Sequence, residues 1–279
     1  MDKNNKNIYN VDTAWAKLHS RLEKDGLLYQ QKKSINIYKI SKIAALFIIS
    51  FAVSYWFFYA YTAKNTNMQI VDTRQSNIIK TVMLPDGSKV DLNINSKLTY
   101  PENFSKKQRV VELEGEAFFK VHKNPNKAFI IRTLGKEVKV LGTSFNVKTN
   151  LKTKQVKVFV KSGKVRFYEV NNSQKQLTLE AGFVGIIDKN TAKKQKIKDP
   201  NYLAWKTKYF DFSYGERMDV IIKKLNAAYH VNIVLENKDL NNKIVYTTYN
   251  NHSLDTVLQL IAIVNNLKVE KKEDKIVLK

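Results

Sequence analysis

Between Lys42 and Lys64 the chain runs from Ile43 to Ala63 without one charge, as IAALFIISFAVSYWFFYAYTA. As a helix this run would be roughly 30 Å long, about the thickness of a hydrocarbon core. A helix packed on a soluble core would carry a polar face, whereas only scattered Ser, Thr and Tyr interrupt this one. Its second half gathers Tyr55, Trp56, Phe57, Phe58, Tyr59 and Tyr61, the side chains of an interfacial belt. A secretory signal would have a shorter apolar core after a brief basic start, and here 42 residues come first. The run therefore predicts a retained single-pass transmembrane helix over 43–63. Lys32, Lys33, Lys39 and Lys42 precede it closely, against Lys64 and Arg74 after it. That asymmetry predicts a cytoplasmic N-terminus, with the bulk of the chain on the far side.

Residues 1–42 form a short segment with one helical candidate. Asp12 can cap it, Ala14, Trp15, Leu18 and Leu22 recur on one face, and Gly26 can end it. A lone helix of this length is marginal in water, so its apolar face calls for a partner or a membrane surface.

Residues 64–78 are polar and read as a linker. Past Ile79 the hydrophobic period becomes two. Val82 and Leu84 precede Pro85-Asp86-Gly87-Ser88, and Val90, Leu92 and Ile94 follow. Pro and Gly there give a turn between two strands. Alternating runs continue through Val111, Ala117, Phe129, Val138, Phe145, Val156, Val165, Leu177 and Val184. No helical period interrupts 79–188, which predicts an all-β domain of roughly ten short strands. A sandwich, a roll and a short solenoid all fit that pattern.

Residues 189–207 are Lys-rich and read as a second linker, carrying Trp205. Residues 208–279 change character. Tyr209–Phe212 reads as a strand, and Ser213 with Glu216 as a capping box for a helix buried through Met218, Ile221, Ile222 and Leu225. Val231–Leu235 and Ile244–Tyr249 read as strands. Ser253 can cap a second helix with Leu254, Val257, Leu258 and Ile261 inward, before a hairpin over Leu267–Glu270 and Ile276–Leu278. The order β-α-β-β-α-β-β predicts a small α+β module with two helices on one sheet.

The chemistry-bearing residues are sparse. The chain has no Cys, which excludes disulfide scaffolds, Cys-ligated metal sites and thiol nucleophiles. His19, His122, His230 and His252 are isolated. Glu112, Glu114 and Glu116 alternate and would share one strand face unless Gly115 perturbs it, yet no His or Cys accompanies them. Asp86 serves its turn, and Gly142-Thr143 is too short for a phosphate loop. No catalytic, cofactor-binding or metal-ligating residue is assigned, and no enzyme is expected. The net charge of +23 invites a nucleic-acid reading. The basic residues, however, alternate with strand positions as a solvated face would. The densest cluster, Lys189, Lys193, Lys194, Lys196 and Lys198, suits solvent or anionic lipid. No direct nucleic-acid contact is expected.

Several strings occur together and in order. They are Leu84-Pro85-Asp86-Gly87-Ser88 with Val90 and Leu92-Asn93, then Ser96 and Leu98-Thr99-Tyr100-Pro101. Arg109-Val110-Val111, Leu113-Glu114-Gly115-Glu116-Ala117-Phe118-Phe119 and Val140-Leu141-Gly142-Thr143-Ser144-Phe145-Asn146-Val147 follow, and then Gly163-Lys164-Val165 and Leu179-Glu180-Ala181-Gly182. As a set these residues resemble the FecR family of anti-sigma regulators, in the form common in Bacteroidetes. Residues 203–279 resemble the C-terminal domain that accompanies the family, which is similar to the short N-terminal module of TonB-dependent transducers and secretins.

The resemblance implies a relay. An outer-membrane TonB-dependent transducer would contact the periplasmic part, and residues 1–42 would hold an extracytoplasmic-function sigma factor through Trp15 and Leu18. The regulated genes would serve uptake of nutrients such as iron chelates or glycans. It implies an inner-membrane location with the N-terminus cytoplasmic and the C-terminal region periplasmic. Family members carry a longer cytoplasmic helical region, of which Asp12-Thr13-Ala14-Trp15 resembles the last helix. The alternative is a periplasmic envelope interaction or scaffold protein that has lost direct sigma binding. For the C-terminal module the resemblance and the short terminal strands imply a partner added at a strand edge.

Overall fold

In the computed structural model, residues 10–28, 47–59 and 67–279 are described. The chain divides into two units, Met1–Asn65 and Thr66–Lys279.

The first unit contains helix α1 (Val11–Lys24) and helix α2 (47–59). The N-cap of α1 is Asn10, two residues upstream of the expected Asp12. The Asn10 side-chain oxygen accepts from the backbone N–H groups of Asp12 and Thr13, at 3.1 and 3.4 Å. Asp12 lies instead in the first turn, where its charge complements the helix dipole. At the other end Leu27 N–H bonds to Leu22 C=O at 2.9 Å, and Gly26 N–H to Glu23 C=O at 3.2 Å. Gly26 adopts φ +68°. This is a Schellman stop, which uses the glycine as the sequence suggests.

The single-pass reading is overturned. Among the described residues no helix is long and apolar enough to cross a membrane. The described part of α2, 47–59, extends roughly 20 Å at 1.5 Å per residue, against roughly 30 Å for a hydrocarbon core. Residues 43–46 and 60–63 of the expected span, and the flanking Lys32, Lys33, Lys39, Lys42 and Lys64, lie outside the described residues.

The second unit begins with fourteen strands in two sheets. Strands β1 (Met68–Asp72), β4 (Lys97–Pro101), β5 (Arg109–Glu114), β7 (Phe129–Thr133), β8 (Lys136–Val140), β11 (Lys164–Glu169) and β12 (Asn172–Glu180) form the first sheet, in the order β1-β4-β5-β7-β8-β11-β12. Strands β2 (Lys80–Met83), β3 (Lys89–Leu92), β6 (Glu116–Lys120), β9 (Ser144–Asn150), β10 (Gln155–Ser162), β13 (Phe183–Ile187) and β14 (Ala192–Lys196) form the second, in the order β14-β13-β10-β9-β6-β3-β2. Pairing is antiparallel except between β5 and β7. The two inner faces share one core that includes Val111, Ile131, Val138 and Phe167 from the first sheet, and Leu92, Phe119, Phe145 and Val158 from the second. Phe119 stacks on Phe145 with ring centres 5.4 Å apart and tilts onto Phe129 at 6.2 Å. Three strands lie beyond the expected set. β1 and β14 fall within the two stretches read as linkers, and β4 reads KLTYP; none of the three has a clean apolar alternation.

A buried cation ties the two sheets together. Arg109, on β5, is 1% exposed. Its Nη1 donates to Asp86 Oδ2 at 2.6 Å and to His122 C=O at 2.9 Å; Nε and Nη2 both donate to Lys127 C=O, at 3.0 and 2.8 Å. Asp86 belongs to the β2–β3 turn, where it also accepts from Ser88 N–H and Ser88 Oγ at 3.0 and 2.7 Å. Ser88 Oγ in turn accepts from His122 N–H at 2.9 Å. The turn of one sheet is thus bolted to a strand of the other.

Gly115 forms the corner where the chain leaves β5 for β6. It adopts φ +95°, and a Cβ there would lie 2.7 Å from the Ser96 Cα. Only glycine meets both conditions. The corner separates the three alternating glutamates. Glu112 and Glu114 face solvent on β5, whereas Glu116 is buried on β6.

The C-terminal part holds α3 (Ala204–Thr207), β15 (Tyr209–Arg217), α4 (Met218–Tyr229), β16 (Ile233–Leu235), β17 (Ile244–Asn250), α5 (Leu254–Asn265), β18 (Val269–Lys271) and β19 (Ile276–Leu278). The expected single sheet is two sheets, β15-β17 and β16-β19-β18. The expected capping box at Ser213 does not form. Residues 213–217 continue β15, whose register shifts between Phe212 and Glu216 before Glu216 pairs with Val245. Gly215, at φ +87°, sits inside that shift, and a Cβ on it would meet the Tyr246 ring at 2.7 Å. Helix α4 therefore starts at Met218 with no side-chain cap. Strand pairing outcompetes local capping here. Ser253 caps α5 as its position suggests, accepting from Thr256 N–H at 3.2 Å.

Asp86→Ala removes the carboxylate from a buried guanidinium. It is expected to lower the unfolding free energy by about 3–5 kcal/mol, read by chemical denaturation. Loss of the exposed Glu180 partner of Lys164 is expected to cost less than about 1 kcal/mol.

Candidate functional site

Two features stand out as interaction surfaces, one in each unit. In the first, α1 carries Val11, Trp15 and Leu18 at helical spacing. They are 62, 61 and 47% exposed, and α1 has no buried residue. Arg21 and Lys24 occupy its last turn, where cations favour the helix dipole. A capped, amphipathic helix with an uncovered apolar stripe is a form suited to docking in a groove.

In the second unit, the feature is the seam where the C-terminal module covers the outer face of the second sheet. On β6 both faces are apolar: Phe119 points into the β core, and Phe118 points out into the core of the module. The module's core is formed by Trp205, Phe210, Phe212, Met218, Ile221, Leu225, Val257, Leu258 and Ile261, among others. Phe159 on β10 lies 4.7 Å from the Tyr202 ring. Asp91 on β3 pairs with Lys206 at 2.7 Å, and the same ammonium lies over the Phe118 ring at 5.0 Å. The pair is largely buried, which makes it sensitive to loss of either partner. Apolar residues on both faces of β6 are a sequence signal for a strand covered on both sides.

Glu116 anchors the polar side of the seam. Its carboxylate accepts from Asn93 Nδ2 at 3.2 Å, Asn146 Nδ2 at 3.0 Å and Lys148 Nζ at 2.9 Å. These three donors hold it in place as a structural group. Across from it, His230 ends α4 in the left-handed conformation, φ +59°, with a buried Nε2 that has no hydrogen-bond partner. Burial lowers the His230 pKa, the Lys208 charge lowers it further, and Glu116 opposes both. Burial also pushes the Tyr202 phenol up to about 12, helped by the Glu116 charge.

The other sequence candidates fall apart in space. His122 contributes its backbone to the Arg109 network. Asp86 binds Ser88 and Arg109. Among the described residues no group of three or more acidic or His side chains could hold a metal ion. Of the lysine cluster, Lys193, Lys194 and Lys196 lie on β14, the edge strand of its sheet. Charge there deters edge-to-edge pairing. The module itself exposes Ile244 and Tyr246 on β17, and Leu260, Ile263 and Val264 on α5. Each of its two sheets also ends in open strand edges.

The sign of the His230 effect follows from its lowered pKa. The unfolded chain binds a proton near pH 6.5, and the folded chain binds it only at lower pH. The stability contributed by the neutral ring is present above that range and declines as pH falls through it. His230→Asn suits the left-handed position and is expected to flatten this part of the pH profile, measured by thermal unfolding between pH 7 and 5.

Comparison with known proteins places this architecture. The FecR protein family matches residues 69–166, and the FecR C-terminal family matches residues 212–278. No curated protein matches the chain. Two crystal structures of a candidate anti-sigma factor from Parabacteroides distasonis are similar to it. One, at 1.65 Å resolution, is 31% identical, and the other, at 2.50 Å, is 30% identical. Each alignment covers 76% of this chain and 98% of the other, with a TM-score of 0.54. The protein is thus a regulator in the anti-sigma class and not an enzyme, and the chain belongs to the FecR family.

Proposed function

We propose that the chain controls an extracytoplasmic-function sigma factor held on α1, in response to an outer-membrane TonB-dependent transducer that engages the second unit. The observation that carries this reading is the uncovered stripe Val11, Trp15 and Leu18 on a helix that is capped at both ends. Burying such side chains against a partner removes apolar surface from water and so favours the complex. The family supplies the partner class. In this reading the second unit is periplasmic and senses nutrient uptake, with iron chelates or glycans as the substrate classes.

For the transducer contact, β17 is the favoured edge. It has seven residues, and Ile244 and Tyr246 stand exposed along it. An added strand would gain main-chain hydrogen bonds there, and these side chains would set specificity. The envelope scaffold remains the second reading, and it predicts no sigma partner at all.

Trp15→Asp with Leu18→Asp is expected to abolish co-purification of a sigma factor with the full chain, while leaving the thermal unfolding of the second unit unchanged. Undiminished recovery would refute the α1 contact. Tyr246→Asp with Ile244→Asp is expected to reduce crosslinking to a TonB-dependent transducer in cells. This surface change tests the contact better than removal of the module, which would uncover Phe118 and Phe159. An unchanged crosslink would exclude the β17 edge.

A further inference from the structure

We propose that β1 is the edge at which two copies of this chain pair, antiparallel, about a two-fold axis that passes between their Ile70 residues. The first sheet then continues from one copy into the other through two β1 strands, in an interface that is the same patch on both sides.

Four strands end the two seven-stranded sheets: β1 and β12 in the first, β2 and β14 in the second. A bare edge is a template for pairing, and lysine is a common guard against it. β12 carries Lys175, β2 carries Lys80, and β14 carries Lys193, Lys194 and Lys196. β1 reads MQIVD, with no lysine, no proline and no bulge in its register against β4. Of the four edges it alone is unguarded, in a chain with 48 basic residues.

The backbone along this edge is open. Thr73 N–H bonds to Ser96 C=O at 2.8 Å, and Glu102 N–H to Asn67 C=O at 2.9 Å. The odd-numbered residues therefore bond to β4, and Met68, Ile70 and Asp72 turn their N–H and C=O groups outward. Of these groups, the Asp72 carbonyl receives Lys80 Nζ at 3.3 Å. Val71 packs on the β core, so Met68 and Ile70 stand on the outer face of the sheet. They are 48 and 59% exposed.

The charges at the two ends of β1 select a second copy as the occupant. At one end Arg74, Lys80 and Lys97 outnumber Asp72 and Glu114. At the other end lies Glu102, whose carboxylate accepts from Asn67 Nδ2 at 3.3 Å and meets no cation among the described residues. Antiparallel pairing sets the cationic end of each copy against the acidic end of the other. It also places Ile70 against Ile70, an apolar cross-strand pair, and Met68 against Asp72. In-register parallel pairing would set Asp72 against Asp72. Neither α1 nor β17 takes part, so the pairing is independent of the sigma-factor and transducer contacts.

The test uses the full chain, which has no Cys, so that each introduced thiol is unique. In the proposed register the two Ile70 Cα atoms face each other at about 5.5 Å, inside the disulfide range. Ile70→Cys is expected to form a covalent dimer on mild oxidation. Met68→Cys lies on the same face, but its two copies would be roughly 13 Å apart along the strands. It is expected to crosslink about tenfold less by itself, and to crosslink readily when mixed with Asp72→Cys chains. Ile70→Lys, added to both members of that mixture, should cut the crosslink about tenfold or more. Because Ile70 is exposed, it should also keep the parent's unfolding midpoint. The proposal is overturned if Ile70→Cys stays monomeric, which would leave the edge to water or to a strand of another protein. It is equally overturned if Met68→Cys alone crosslinks as fast as Ile70→Cys, which would place the contact on another surface. An Ile70→Lys mixture that crosslinks like the parent mixture overturns it as well.

Discussion

Everything in the β domain leans on one buried guanidinium. Arg109 has nearly all of its surface removed from water, so each of its donors needs an acceptor inside the protein. Those acceptors come from the β2–β3 turn, the end of β6 and the loop before β7. The β2–β3 turn, β5 and the β6–β7 connection are therefore held to one point. The Asp86 carboxylate sets the shape of its own turn through Ser88 and the position of that turn through Arg109. Hydrophobic burial supplies the bulk of the driving force. The polar bolt fixes how the two sheets align.

A second constraint follows from the corner at Gly115. The turn sends β6 into the other sheet, and the side chains on its outer face then become available to the C-terminal module. Glu116 and Phe118 are two residues apart and share that face. One becomes the polar anchor of the seam and the other an apolar plug. The seam thus arises from local geometry at one glycine, together with a strand that is apolar on both sides.

Much of the architecture was readable from periodicity. The alternating runs at Val90, Val111, Phe129, Val138, Val156 and Val165 all become core strands, because one buried face imposes a period of two. The Pro85-Asp86-Gly87 turn and the Ser253 cap were also legible, since each depends on local chemistry. The misses have a common cause in long-range pairing. β14, with the sequence AKKQK, is a strand only because β13 offers it a partner. Residues 213–217 look like a helix cap until β17 claims them. The charge-free run at 43–63 was read as a span, whereas no helix among the described residues is long and apolar enough to cross a membrane. Of the uncovered stripe on α1, Trp15 and Leu18 were legible and Val11 was not.

Phe118 belongs to the β domain by sequence and to the C-terminal module by packing. A module whose core borrows a side chain from its neighbour is not a free-standing cassette. If relatives exchanged their C-terminal modules, the new arrival would find a mismatched plug unless β6 changed with it. Diversification of the module is therefore expected to be tied to the outer face of β6, so that the two parts are inherited as a matched pair.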